Sequence, residues 1–551
     1  MTHAMHRIGA RVALLAVAIA ACGSPPVPAH GPGARGEPKH APVVVTLVVD
    51  QLAAWMAEER FPELPADGGF ARLRREGSWY RDMRFEHAVT ETAPGHSALY
   101  TGVVPSASGI FGNEVIDPST HKRVSILRDT ATKELLASGP VDDPGASLAA
   151  LDVYTLADRL RAQRPDADIV SLSLKDRGAI FGGGRAPDAV LWFDAKRDAF
   201  VTSSAFATRF PAWAAAVPAA PREPWVLLDA PWVAKHAASP DAQPGEGDLD
   251  GFGITFPHAF AAAKEPAVAF RASPRGDDAL LALARAAVAQ HALEHPMLLA
   301  VSLSSHDYVM HVFGPDSWEA WDELRRLDAS LAGFFRALDA RFGKDGWSAL
   351  LTGDHGGEAI PEVGADKHAW CTHPDPWERP CPTKGRILQD ELATKASKAA
   401  KEAMGDVEWV LGFASPYLFL SDAAAKLPPE ARAKLDAAVT RALLEYPGVA
   451  RVVRRREDLR CDGGGVDALL CNSLSPKVKD ALYVLPMRDY FFDPNYAIGK
   501  GNSHGGPYLY DRSVPLFVRG GTARAGAVVT EPVSFTLFAQ NAVALLGIHS
   551  P

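Results

Sequence analysis

Four short segments carry metal-binding side chains at spacings that bring them together. Asp307-Tyr308-Val309-Met310-His311 sets a carboxylate and an imidazole four residues apart. One helical turn puts both on the same face. Asp354-His355-Gly356-Gly357 joins the same two ligand types directly, followed by glycines that permit a sharp turn. His504 stands in another glycine-permitted turn, Gly501-Asn502-Ser503-His504-Gly505-Gly506, and Asp50 closes the apolar run Val43 to Val49. Taken singly, each has a plain structural explanation as a helix cap, an ion pair or a surface histidine. Taken together, they offer oxygen and nitrogen ligands in numbers that suit two zinc ions. Two metals about 3.5–4 Å apart clamp the attacking and leaving oxygens of an in-line displacement.

Such chemistry needs a nucleophile. Thr92 lies in Thr90-Glu91-Thr92-Ala93-Pro94-Gly95-His96, ahead of the helix-like run Ser97-Ala98-Leu99-Tyr100. A helix start favours anions. A neutral hydroxyl is a weak nucleophile until a metal lowers its pKa.

The elements that must hold these groups read as an alternating α/β chain. Val43 to Val49 is continuous and β-branched, as expected of a strand buried on both faces in a parallel sheet. Asp168 to Leu174 leads into Lys175, Met297 to Leu303 leads towards Asp307, and Trp347 to Thr352 leads into Asp354. Helical patterns lie between, over Asp277 to Glu294 and from Asp316, with Glu319 completing a capping box and Gly343 supplying the stop. This alternation predicts an α/β fold with a mostly parallel central sheet flanked by helices. Ligands then sit beyond the carboxyl ends of the strands, where the reactive residues fall. Residues 181–272 and 362–495 fit the alternation less well and read as insertions that cap the site.

The ordered set Val-Val-Asp50-Gln51, Thr92-Ala-Pro-Gly-His96, Asp307-x3-His311, Asp354-His355-Gly356 and Gly-x-Ser-His504 resembles the alkaline phosphatase superfamily over nearly the whole chain after residue 41. The resemblance implies that Asp307, His311 and His504 hold one zinc ion and that Asp50, Asp354 and His355 hold the other. It implies that Thr92 is the nucleophile, contacts the second metal and carries a covalent phosphoryl group, with His96 as support. Gly109-Ile110-Phe111-Gly112-Asn113 and Ser173-Leu174-Lys175-Asp176-Arg177 resemble the phosphate-irrepressible, calcium-independent alkaline phosphatases of bacteria, relatives of the nucleotide pyrophosphatase/phosphodiesterases. In that branch Asn113, Lys175 and Arg177 hold the non-bridging phosphate oxygens, which suits a monoester dianion. Met310 departs from the branch, where glycine precedes the histidine of the Asp-x3-His motif.

The implied activity is phosphate-monoester hydrolysis, with small phosphate esters as partners. The alternatives are a phosphodiesterase or nucleotide pyrophosphatase on the same metal core, and a lipoprotein that binds metal without catalysis. The formal charge of −9 disfavours nucleic acid as a partner. His6, Arg7 and Arg11 precede the apolar run Val12 to Ala20, too short to span a bilayer, so residues 1–21 read as a signal peptide. Ile19-Ala20-Ala21-Cys22 resembles a bacterial lipobox, which implies lipidation of Cys22, a tether over 22–41, and a catalytic domain over 42–551 in the periplasm or cell envelope. Cys371, Cys381, Cys461 and Cys471 allow three pairings. The two local pairs, Cys371 with Cys381 and Cys461 with Cys471, are favoured because each loop is rich in Pro or Gly.

Overall fold

A computed structural model describes residues 41–238, 240–363, 385–478, 480–493 and 499–549. The apolar run Val43–Val49 (β1) is a strand buried along its whole length. Helix Thr92–Thr101 (α1) follows, then strand Asp168–Ser173 (β2), helix Asp176–Gly183 (α2) and strand Ala189–Asp194 (β3). Strand Met297–Leu303 (β4), helix Ser305–Phe313 (α3) and strand Ser348–Thr352 (β5) complete the part that matters for the site. These strands are parallel, in the order β3-β2-β4-β1-β5. Their register explains the site. Val48 lies opposite both Ser302 and Thr352, and Ser302 lies opposite Ser173. Asp50, Lys175, Asp307 and Asp354 follow these positions, so all four leave the sheet along one edge.

The expectation of a mostly parallel sheet describes this centre, whereas the twelve-stranded sheet as a whole is mixed. Beyond β5, Ser513–Arg519 runs antiparallel, and Ser78–Arg84 runs antiparallel to it. On the other side Ala199–Ser203 returns antiparallel to β3, because so short a connection makes a hairpin rather than a crossover. Residues 181–272 thus begin by completing α2, β3 and this strand before leaving the sheet.

Strand alternation feeds two cores. Val43, Val45, Leu47 and Val49 point to the face that also buries Leu281 and Phe334. Those residues belong to helices Pro274–Gln290 and Trp318–Phe342. Val44 and Val48 point to the face covered by α1 and by helix Thr536–Leu546. The cap of helix Trp318–Phe342 is Ser317, whose hydroxyl accepts the Ala320 N–H. That corrects the expectation of an Asp316 cap: Ser317 is one residue closer to the helix, and Glu319 turns inward to His258 instead. Residues 385–493 build a separate four-stranded antiparallel sheet with its own apolar core, packed with helices Gln389–Met404 and Pro429–Leu444.

Candidate active site

Two close backbone approaches assemble the site. A side chain on Gly95 would place its Cβ 2.4 Å from the Asp354 carbonyl oxygen, so glycine lets α1 lie directly against the end of β5. Gly501 has φ +64, and a Cβ there would lie 1.6 Å from the His311 carbonyl oxygen. This seats the His504 turn on α3. Thr92 is the first helical residue of α1, one position past the N-cap residue Glu91, and is itself buried. Its local role is therefore not that of a capping threonine.

The expected metal ligands converge. Asp307 Oδ1 lies 3.2 Å from His311 Nε2, across one turn of α3, and 3.6 Å from His504 Nε2. His355 Nε2 lies 3.4 Å from Asp50 Oδ1 and 3.5 Å from Asp354 Oδ2. Two groups can each surround an ion, with ligand atoms within 4.8 Å of one another: Asp307 with His311 and His504, and Asp50 with Asp307 and His355. Asp307 belongs to both. Asp354 stands at the margin of the second group. Its Oδ1 accepts the Gln51 and His355 N–H groups, and its Oδ2 faces His96 at 3.1 Å.

The imidazoles are oriented for ligation. Nδ1 of His311, His504 and His355 contacts the carbonyl oxygens of Asn502, Thr90 and Gly356 at 2.9, 2.8 and 2.9 Å. A carbonyl only accepts, so each Nδ1 carries a proton and each Nε2 is the nitrogen turned to the site, free to bind an ion once it holds no proton. Among the described residues, Asp50 Oδ1, Asp307 Oδ1, Asp354 Oδ2 and His355 Nε2 are buried without a hydrogen-bond partner. Buried acceptors crowded in this way are costly unless a cation joins them. The donor set, carboxylate oxygen and imidazole nitrogen, fits a divalent ion such as zinc.

Lys175 is the internal cation. Its Nζ lies 2.6 Å from Asp50 Oδ2, 2.6 Å from Asp307 Oδ2 and 3.2 Å from Thr92 Oγ1. The lysine is buried, which excludes a solvated charge cluster. It is the residue before α2, and Arg177 is in the first turn of α2, so the two sit at a helix start rather than on a strand end. Burial and Asp307 push the Asp50 carboxyl upward, but the Lys175 ammonium and His355 outweigh them and hold it down to about 2. Burial pushes His355 down, yet the Asp354 and Asp50 carboxylates raise it to about 9. Burial and the neighbouring His355 drive His504 down to about 3, so its ring is neutral.

Thr92, Asn113, Lys175 and Arg177 line one cavity of about 380 Å³ together with Asp307, His311 and His504. Asn113 is fixed at both ends. Its N–H donates to Glu91 Oε2 at 2.8 Å, and its Oδ1 accepts the Ala93 N–H at 2.7 Å. Its amide NH2 is left to donate. Sequence reading did not single out Glu91, Arg271 or Tyr308, all of which line this cavity. Glu91 had one available signal, its place beside the proposed nucleophile; burial pushes its carboxyl up to about 7. The structure supports the assignment of His96 as a prop: its Nδ1 contacts the Thr92 carbonyl oxygen and its Nε2 contacts Ser302 Oγ. Met310 is buried in the main core. Of the cysteines, Cys461 and Cys471 form a disulfide. Cys22, Cys371 and Cys381 lie outside the described residues.

A sheet whose strand ends deliver two overlapping metal-binding groups beside a helix-start threonine defines a phosphoesterase-like core of the alkaline phosphatase superfamily. The chain belongs to the type I phosphodiesterase / nucleotide pyrophosphatase family, which it matches over residues 44–418. It is 35% identical over 331 residues to the alkaline phosphatase PhoV of Synechococcus elongatus, covering 58% of this chain and 60% of PhoV. It is 27% identical over 527 residues to a protein of Myroides odoratus named a calcium-transporting ATPase, covering 92% of each. The crystal structure of wild-type alkaline phosphatase PafA superposes with a TM-score of 0.77 at 25% identity, covering 92% of this chain and 96% of that one.

Proposed function

We propose that the protein is an exported two-zinc phosphomonoesterase that works through a phosphothreonine on Thr92. One observation carries this reading. Thr92 Oγ1 lies 3.2 Å from the Lys175 ammonium, which itself touches a carboxylate of each metal-binding group. A phosphoryl group on Thr92 would therefore meet the ligand cluster and the three anion-binding side chains at once. Asp307, His311 and His504 would hold one ion and Asp50, Asp354 and His355 the other, with Asp307 within reach of both. When bound, such ions lower the pKa of a hydroxyl nucleophile and offset charge on a departing oxygen.

The chain's own residues do the rest. The Asn113 amide, Lys175 and Arg177 grip the non-bridging oxygens and orient phosphorus towards Thr92. Thr92 gives up its hydroxyl proton and forms a bond to phosphorus as the ester bond opposite breaks. The alcohol leaves after its oxygen takes up a proton. Water then cleaves the phosphothreonine, releasing inorganic phosphate and restoring the hydroxyl. Thr92→Ala should cut turnover of p-nitrophenyl phosphate at least about a thousandfold while leaving zinc content unchanged. Wild-type rates from that variant would overturn the reading.

The family itself favours a second reading, a phosphodiesterase on the same core. Lys175 and Arg177 weigh against it, because two cations suit a dianion better than a diester. Faster turnover of bis-p-nitrophenyl phosphate than of the monoester would decide for the diesterase.

Export and lipid anchoring through Cys22 are part of the proposal. The Cys461–Cys471 disulfide supports an oxidising compartment. Among the described residues, no helix is long and apolar enough to cross a membrane.

A further inference from the structure

A second cavity, of about 710 Å³, adjoins the first. Among the described residues, the lining that the two share is Lys175, Arg177, Arg271 and Tyr308. Three cations and one phenol thus stand where the two cavities meet. Arg271 ends the short helix Pro266–Arg271, far in sequence from the other site residues. Its Nη1 donates to the Tyr308 hydroxyl at 3.1 Å, and its guanidinium carbon lies 4.7 Å from the Tyr308 ring centre. Tyr308 in turn follows Asp307 and has the Lys175 ammonium 5.1 Å from its ring centre. The phenol therefore fixes where the guanidinium stands relative to the phosphate-binding lysine. The outer cavity adds Arg128 and Lys196 to its lining. Among the described residues, five carboxylates line it too, Glu134, Asp143, Asp176, Asp194 and Glu265. Asp143 is engaged by Lys196 at 3.0 Å and by Arg197, and Asp176 lies 3.5 Å from Arg177.

We infer that Arg271, held by Tyr308, forms a second anion subsite that selects phosphomonoesters whose leaving group carries a second phosphoryl group. The inference rests on the phosphomonoesterase reading of the adjoining site. A leaving group that extends from Thr92 towards the outer cavity must run beside these four side chains. A planar guanidinium there can take two oxygens of a second phosphate at once, which a neutral alcohol cannot exploit.

Fructose 6-phosphate and fructose 1,6-bisphosphate differ by one phosphoryl group and make the test. Affinity for each is measured by calorimetry on Thr92→Ala and on Thr92→Ala combined with Arg271→Gln or Arg271→Lys. The values of kcat/KM are measured in parallel on the chain with Thr92 intact. The bisphosphate should bind at least tenfold more tightly than the monophosphate. Arg271→Gln should shrink that margin at least fivefold, and Arg271→Lys should restore part of it. An equal weakening of both esters would mean that Arg271 only props Tyr308, and would overturn the inference. So would the absence of a margin with Arg271 present. Failure of the phosphomonoesterase reading would show separately, as no turnover of either ester by the chain with Thr92 intact.

Discussion

Two buried clusters in this protein gather carboxylates around histidine, and they behave in opposite ways. In the candidate active site, Asp50 and Asp307 are held below the ordinary carboxylate range; both are buried, and Lys175 and the histidines prevail over that burial. In the second cluster Glu319 pairs with His258 at 2.9 Å, and Glu246 and Asp241 lie close by. There burial and like charge push Glu319 well above the carboxylate range and Glu246 up to about 9, while burial pushes His258 down to about 4. The first cluster is ionised and its ligand atoms converge; in the second, Glu319, Glu246 and His258 are neutral, and Glu319 meets His258 by a hydrogen bond. Burial alone therefore does not make a metal centre. His258 also has its Nδ1 on a backbone carbonyl, that of Phe252 at 3.2 Å, so the internal cation that keeps the carboxylates charged makes the difference.

The contrast can be broken at its centre. Asp307 belongs to both ligand groups. Asp307→Asn should lower metal content at both sites and reduce kcat/KM by about a thousandfold or more, equivalent to a loss of several kcal/mol. Elemental analysis alongside steady-state kinetics checks it. Retention of both metals would show that the two groups do not share this residue.

A smaller effect is expected from Lys175→Met in metal-stripped protein. The change leaves Asp50 and Asp307 buried against each other without their ammonium. Denaturant unfolding should report a loss of about 3–5 kcal/mol, the usual cost of breaking a buried ion pair on one side. Unchanged stability would mean that the carboxylates do not depend on Lys175 for compensation.

The least effect concerns the neutral cluster. The Glu246 carboxyl ionises near 4.5 when unfolded and at about 9 in the fold. The unfolded chain releases this proton first. Its contribution to stability is therefore complete below 4.5 and is lost as the pH rises through about 9. Glu246→Gln should make stability fall less steeply across that window, in unfolding curves collected at several pH values. An unaltered slope would remove Glu246 from the account of the second cluster.

Much of the site was legible because its ligands come in local pairs. Asp307 with His311 needs only one helical turn, and Asp354 with His355 needs none. Asp50 and Lys175 were legible from the apolar runs before them, since buried parallel strands in register deliver their next residues to one edge. What escaped depends on side chains meeting across long separations. Nothing near Arg271 in sequence announces Tyr308. The Glu91–Asn113–Ala93 connection needs the actual path of a loop. The antiparallel flanks escaped because a strand's residues do not state its direction. Ser513–Arg519 is as long and as buried as Val43–Val49, and only its pairings with Ser348–Thr352 and Ser78–Arg84 show that it runs the other way. The placement of Lys175 between two carboxylates is a fact of packing that no spacing encodes.

The central claim is that Thr92 accepts the phosphoryl group. Acid quenching during turnover of p-nitrophenyl phosphate, followed by peptide mapping with mass spectrometry, tests it most directly. The expected result is a phosphoryl group on the peptide that carries Thr92, lost in Thr92→Ala. Phosphorylation of a different residue, or equal labelling of Thr92→Ala, would contradict it.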